Sequence, residues 1–192
     1  MTNTTTDRPH SVSRQALLAV TVLVAMLLGG CALVMHKPHS SGSSNPWDDS
    51  AHPLTDDQAM AQVVEPAKQI VAAADLQGVS GVFSFASCND QGDPPYQGTV
   101  TMDFLLVGEP DAYFQKVRAA MIAHGWNDGA LPGQRYHGTT LNKDGVTANM
   151  MRNTDYPGYG TIYLYGECRN TTNHHNDGKT NGIDITNHLV AP

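Results

Sequence analysis

The stretch Thr99 to Val107, T-V-T-M-D-F-L-L-V, decides how the rest of the chain is read. It alternates polar and apolar residues at first and then runs continuously apolar, which predicts a central β-strand in a sheet covered on at least one face. Just upstream, Val79 to Cys88 (V-S-G-V-F-S-F-A-S-C) is a second strand, separated from the first by the turn-rich segment Asn89 to Gln97. The two fit an antiparallel pair across a long loop. Downstream, Thr161 to Cys168 (T-I-Y-L-Y-G-E-C) sets Ile162 and Leu164 against Tyr163 and Tyr165, the alternation of a half-buried strand.

Helices are expected on either side of the first strand pair. Thr55-Asp56-Asp57-Gln58 forms a capping box, in which Thr55 and Gln58 satisfy each other's backbone donors beside two acidic residues at the positive helix end. Met60, Val63, Val64, Ala67, Ile70, Val71 and Ala74 follow at helical spacing, with Pro66 predicting a kink or restart because it removes a donor. Glu109-Pro110-Asp111 opens a second helix whose buried face draws on Ala112, Phe114, Val117, Ala120, Met121 and Ile122, and Gly125 stops it. Arg135 to Leu141, the turn Asn142-Lys143-Asp144-Gly145 and Val146 to Arg152 then read as a hairpin. Tyr156 to Gly160 makes another turn. This order predicts an α+β fold, an antiparallel sheet of about five strands with two helices packed on one face, spanning residues 54–169. Residues 170–192 are polar and are expected to be disordered.

The N-terminus carries an address. A polar stretch with Arg8 and Arg14 precedes the uncharged run Ala16 to Leu28, which is shorter than the roughly 20 residues a spanning helix needs. It meets Leu28-Gly29-Gly30-Cys31, a lipobox in which small residues admit a peptidase and the Cys31 thiol accepts diacylglycerol. Residues 1–30 are therefore expected to be a secretory lipoprotein signal peptide, with an uncleaved anchor extended through Met35 as the other reading. Residues 31–53, rich in Ser, Gly and Pro, read as a lipidated start and flexible tether, with Trp47 free to dock on the domain or the lipid interface. Losing Arg8, Arg14 and Asp7 moves the formal charge from −7 to −8. An acidic domain does not suit nucleic acid or anionic lipid heads, which call for Lys/Arg clusters. Attachment to the membrane then falls to the acyl chains.

Export to an oxidising compartment makes a Cys88–Cys168 disulfide the default reading, with two free buried thiols as the other. No nucleophile, zinc-protease or phosphate-loop motif is present, and neither catalytic residues nor cofactors are assigned. His174, His175, Asp177 and His188 have metal-ligand chemistry but sit in a segment that lacks a rigid surround, so a solvated tail is the alternative and no metal site is assigned. His36, His39 and His52 in the tether are read the same way. Asn89, Asp90 and Asp93 could face calcium, although their spacing is that of a surface turn. Asn170-Thr171-Thr172 matches a glycosylation sequon, which carries little meaning beside a bacterial lipobox. Tyr96, Tyr136, Tyr156, Tyr159, Tyr163 and Tyr165 could line a groove if several share a sheet face, and are otherwise ordinary strand formers.

The lipobox continued as G-C-A-L-V-M-H-K-P-H-S-S-G-S-S-N-P-W-D-D, the segment S-C-N-D-Q-G-D-P-P-Y-Q-G from Ser87 to Gly98, and G-E-C-R-N-T-T from Gly166 to Thr172 resemble the mycobacterial LppJ lipoproteins and, more loosely, the LppA-like lipoproteins. The resemblance covers nearly the whole chain. It implies a palmitoylated, diacylglyceryl-modified protein on the outer face of the cell membrane, with the modification at Cys31, and it brings no activity. Together the readings favour a non-enzymatic envelope module that binds a protein or glycolipid partner through the sheet face or the Asn89 to Gln97 loop. A small-ligand or glycolipid-binding protein, or an envelope enzyme with a pocket lined by Tyr163, Tyr165 and His137, is the alternative.

Overall fold

The computed structural model describes residues 52–190. The expected signal peptide with the expected lipobox Leu28, Gly29, Gly30 and Cys31, the expected tether as far as residue 51, and with them Trp47, His36 and His39, lie outside the described residues.

Helix α1 (Asp56–Ala74) starts at the expected capping box. The Gln58 N–H donates to Thr55 Oγ1 at 3.2 Å and the Thr55 N–H to Gln58 Oε1 at 2.9 Å. Pro66 lies inside this single helix and no restart occurs; it is partly exposed, while Val63, Ala67 and Ile70 around it are buried. The helix ends at Asp75 in the left-handed region, φ 52°, a conformation that Asp tolerates better than most residues. Strands β1 (Ser80–Ser87) and β2 (Tyr96–Leu105) form the expected antiparallel pair. Helix α2 (Pro110–Ala123) follows, capped by the Glu109 carboxylate, which accepts from the Ala112 N–H at 3.0 Å. Its buried side chains are Tyr113, Phe114, Val117 and Met121, whereas Ala112 and Ile122 are exposed.

After the short β3 (Asn127–Asp128) come β4 (Thr139–Lys143), β5 (Val146–Arg152) and β6 (Tyr159–Tyr165). The strand expected from Arg135 begins only at Thr139, because the preceding residues form a loop over the sheet. The hairpin turn is the two residues Asp144 and Gly145, both at positive φ, with Lys143 paired to Val146. That is the sign pattern of a tight hairpin whose twist matches its strands.

The described sheet has seven strands in the order β3-β4-β5-β6-β2-β1-β7, every pair antiparallel, and three helices are described. The expected five strands and two helices were short by the two-residue strands β3 and β7 (Ile183–Asp184) and by the one-turn helix α3 (Thr186–Leu189). Tyr96, Val100, Met102 and Phe104 of β2, Ile162 and Leu164 of β6 and Met150 of β5 fill one face beneath the helices, each at most 1 % exposed. Approach there is close: a Cβ on Gly98 would stand 2.4 Å from the Ala59 carbonyl oxygen of α1.

The expectation of a disordered tail is corrected by residues 170–190. β7 pairs with Val82 and Phe83, and Ile185 and Leu189 enter the core. Asn170 exchanges backbone hydrogen bonds with Tyr96, and its side-chain amide donates to Asp56 Oδ1 at 2.8 Å. His174 is fully buried, stacked on Phe85 at 4.0 Å and edge-on to Tyr96 at 5.0 Å. Its Nδ1 faces Asp177 Oδ2 at 2.6 Å and its Nε2 faces Asn170 Oδ1 at 3.2 Å. Lys179 reaches Asp56 at 2.5 Å. A polar segment is thus ordered by hydrogen bonds within itself, at His174, and across long sequence separations, at Asp56 and Tyr96. Cys88 and Cys168 are disulfide-bonded at this same end of the sheet, their Cα atoms 6.0 Å apart.

Two outcomes follow for this clasp. Burial pushes the Asp56 carboxyl up, but hydrogen bonds from Lys179, Asn170 and Thr172 outweigh it and bring it from 3.8 down to about 2. A folded-state value below the unfolded one gives stability that is present above 3.8 and is lost as pH falls through about 2. Denaturant midpoints recorded across that interval should fall with pH, and Asp56→Asn should flatten the slope. Ile185→Ala should cost about 2–5 kcal/mol in equilibrium unfolding, as for other fully buried aliphatic truncations; a surface-like cost would mean that the tail is not part of the core.

Candidate functional site

Alternation along the strands leaves the other face of the sheet without helical cover among the described residues. From the register, Thr99, Tyr165 and Thr147 stand side by side on it, as do Thr101, Tyr163 and Asn149, and then Asp103, Thr161 and Met151. Tyr159, opposite Leu105, continues the same face at the far end. The sheet therefore presents a row of hydroxyls and aromatic rings where one-sided coverage requires a water-compatible surface.

Part of this face is roofed by the loop between β3 and β4. Thr147 donates to Gln134 Oε1 at 2.5 Å, and the Tyr136 ring stacks on Tyr165 at 5.0 Å and 17° between planes. Tyr163 continues the ladder 6.4 Å from Tyr165. The roof explains why Thr147 and Asn149 are buried although they lie on the uncovered side. Of the expected tyrosines, Tyr136, Tyr159, Tyr163 and Tyr165 share this face, and Tyr156 stands on the turn at its end. Tyr96 does not join them: it points into the core, and its hydroxyl donates to the Gly92 carbonyl. His137, on the roof loop, is exposed.

Beyond the ladder the face opens into a cleft of about 270 Å³ lined by Ser80, Asp103, Asn153, Tyr156 and Tyr159. The Thr161 hydroxyl donates to Asp103 Oδ1 at 2.5 Å, and Asn153 Nδ2 donates to the same oxygen at 3.1 Å. Asn153 Oδ1 in turn accepts from the N–H groups of Asp155 and Tyr156, 2.9 Å each. One carboxamide thus fixes the turn that carries Tyr156 to the strand that carries Asp103. The sequence alone does not single out Asp103, Asn153 or Thr161. The available signal was Asp103 itself, a carboxylate in the middle of the most apolar strand, where an ionisable group needs partners.

The histidines do not converge. His174 is held by Asp177 as described, His175 is exposed 3.5 Å from Asp93, and His188 lies on α3 beside a groove against α1. Among the described residues no group of three His, Cys, Asp or Glu is placed to hold a metal ion. In the Asn89 loop, the Asn89 carboxamide oxygen accepts from the Gln91 and Asp93 N–H groups and its Nδ2 donates to the Asp93 carbonyl. It braces the turn from within.

Burial, reinforced by the neighbouring Tyr165, pushes the Tyr136 phenol from 10.0 up to about 12, and burial likewise raises Tyr165. A value raised on folding gives stability that is complete below the unfolded value of 10.0 and is lost as pH rises through about 12. Ultraviolet titration of the folded protein should therefore show tyrosines ionising late, and Tyr136→Phe should remove the latest step.

A family model described as "Putative lipoprotein LppJ" matches residues 55–188. A protein of that name from Mycobacterium bovis is 70 % identical over 192 residues, covering 100 % of both chains. One from Mycobacterium tuberculosis is 69 % identical over the same full length. No solved structure matches. With the family match spanning the folded domain and the relatives spanning the whole chain, this protein belongs to the LppJ lipoprotein family.

Proposed function

We propose that the chain is a lipid-anchored envelope protein on the outer face of the cell membrane. In this reading its domain is a non-enzymatic binding module that meets its partner, an envelope protein or glycolipid, through the uncovered sheet face. The single observation behind the binding role is the aromatic ladder with its adjoining cleft: large rings beside hydroxyl and amide groups are the composition of recognition surfaces. The anchoring role rests on Leu28-Gly29-Gly30-Cys31 together with membership of a lipoprotein family. A diacylglyceryl group on the Cys31 thiol, with an acyl chain such as palmitate on the freed amine, would hold the protein stably, since two chains suffice where one is marginal. The acidic net charge disfavours nucleic acid as the partner.

Cys31→Ala should abolish lipid labelling and release the protein from the membrane fraction; unchanged labelling would refute the anchor. For the binding role, a photoreactive phenylalanine analogue in place of Tyr163 should give one recurrent adduct in intact envelope. No adduct from membrane-retained protein would refute the use of this face.

A further inference from the structure

We propose that the cleft around Asp103 is a subsite for a neutral sugar ring, which rests on the reading of the uncovered face as the binding surface and names its ligand class. Both protein donors to the Asp103 carboxylate, from Thr161 and Asn153, arrive at Oδ1. Among the described residues Oδ2 receives no hydrogen bond, so it is the acceptor left for a ligand hydroxyl. Among the described residues the cleft is lined by a carboxylate and no cation. The neighbouring Arg152 is engaged with Asp111 at 2.7 Å. An anionic ligand would meet uncompensated repulsion there, whereas a polyol donates to the carboxylate at the strength of a charge-assisted hydrogen bond.

Aromatic placement supplies the second half of the argument. Tyr156 is 67 % exposed, the most exposed large hydrophobic residue described, yet it is not on a loose loop. Its N–H is held by Asn153 Oδ1, and its carbonyl accepts from the Tyr159 N–H at 3.1 Å. A solvent-facing ring on a hydrogen-bonded turn, beside a second tyrosine, offers negative π-faces to the weakly positive C–H face of a sugar. Just below the roughly 300–1,000 Å³ of pockets for drug-sized ligands, a volume of about 270 Å³ suits one ring of a longer saccharide.

The test uses the purified full-length chain in detergent on an array of neutral hexose and pentose oligosaccharides, with sulfated glycans and phosphatidylglycerol vesicles alongside. Neutral glycans should bind, and free sugar should compete. Asp103→Asn, which keeps the shape and the Oδ1 acceptor, and Tyr156→Ala, at an exposed position, should each weaken binding about tenfold or more. Lys116→Ala on α2 should bind as the unaltered protein does. Thermal melts of the variants separate lost binding from lost fold. Binding to sulfated glycans or vesicles alone, or neutral binding that neither variant weakens, would overturn the assignment. A blank array together with a recurrent Tyr163 adduct would overturn the sugar subsite and leave the sheet-face reading standing.

Discussion

All three described helices lie against one face of the sheet, and over Gly98 the backbone of α1 itself presses on the strand. No side chain could stand there, since its Cβ would fall 2.4 Å from the Ala59 carbonyl oxygen. Similar room is taken at Gly160, where an added Cβ would come within 2.6 Å of the Phe104 ring, and at Gly81, where it would meet Leu189. The helices therefore settle onto β2, β6 and β1 where the sheet gives way to them. Having spent its helices on that face, the domain must make the other compatible with water by its own side chains. Threonine, tyrosine, asparagine and one aspartate at alternating strand positions do this, and they are also the groups from which a recognition surface is made.

Local rules made much of this legible. The Thr55/Gln58 box, Glu109-Pro110 at the head of α2 and Asp144-Gly145 in the hairpin each depend on neighbours a few residues apart and stand where the sequence places them; β2 and β6 keep the expected alternation but start and end earlier than expected, at Tyr96–Leu105 and Tyr159–Tyr165. Segments whose order depends on distant partners were not legible. His174 reads as a solvated histidine because nothing in its own segment says that Phe85 and Tyr96 will pack on its ring; its hydrogen-bonding neighbours Asn170 and Asp177 are close in sequence, but only that distant packing buries the group they hold. Ile185 and Leu189 are isolated apolar residues among polar ones, too few for a periodicity, although each is all but fully buried. The two-residue strands have no pattern to read at all.

The tyrosines show the same division at the site. Strand alternation correctly puts Tyr163 and Tyr165 on one face, because period 2 is a local property. Tyr136 reaches them only because the loop of residues 130–138 folds back over β5 and β6, and Tyr96 leaves the group because its position on β2 has the parity of Val100 and Met102. Counting aromatic residues in the sequence could suggest a surface but could not say which of them belong to it.

Strand β2 also relates the point where the chain enters the domain to the cleft. Its first residue, Tyr96, pairs with Asn170, beside which the chain enters the domain: Leu54 bridges to Asn170, its N–H donates to the Arg169 carbonyl, and Arg169 Nε donates to the His52 carbonyl. The Cys88–Cys168 disulfide is at this end as well, closing a loop of 80 residues and contributing about 4 kcal/mol in a chain-entropy account. Asp103 lies toward the other end of the strand, about 23 Å away at the rise of an extended chain. The end where the chain enters the domain is thus the covalently and electrostatically fastened one, and the end that opens into the cleft is the one removed from it. The cleft's geometry is set separately, by Asn153 and Thr161 at the Asp103 carboxylate.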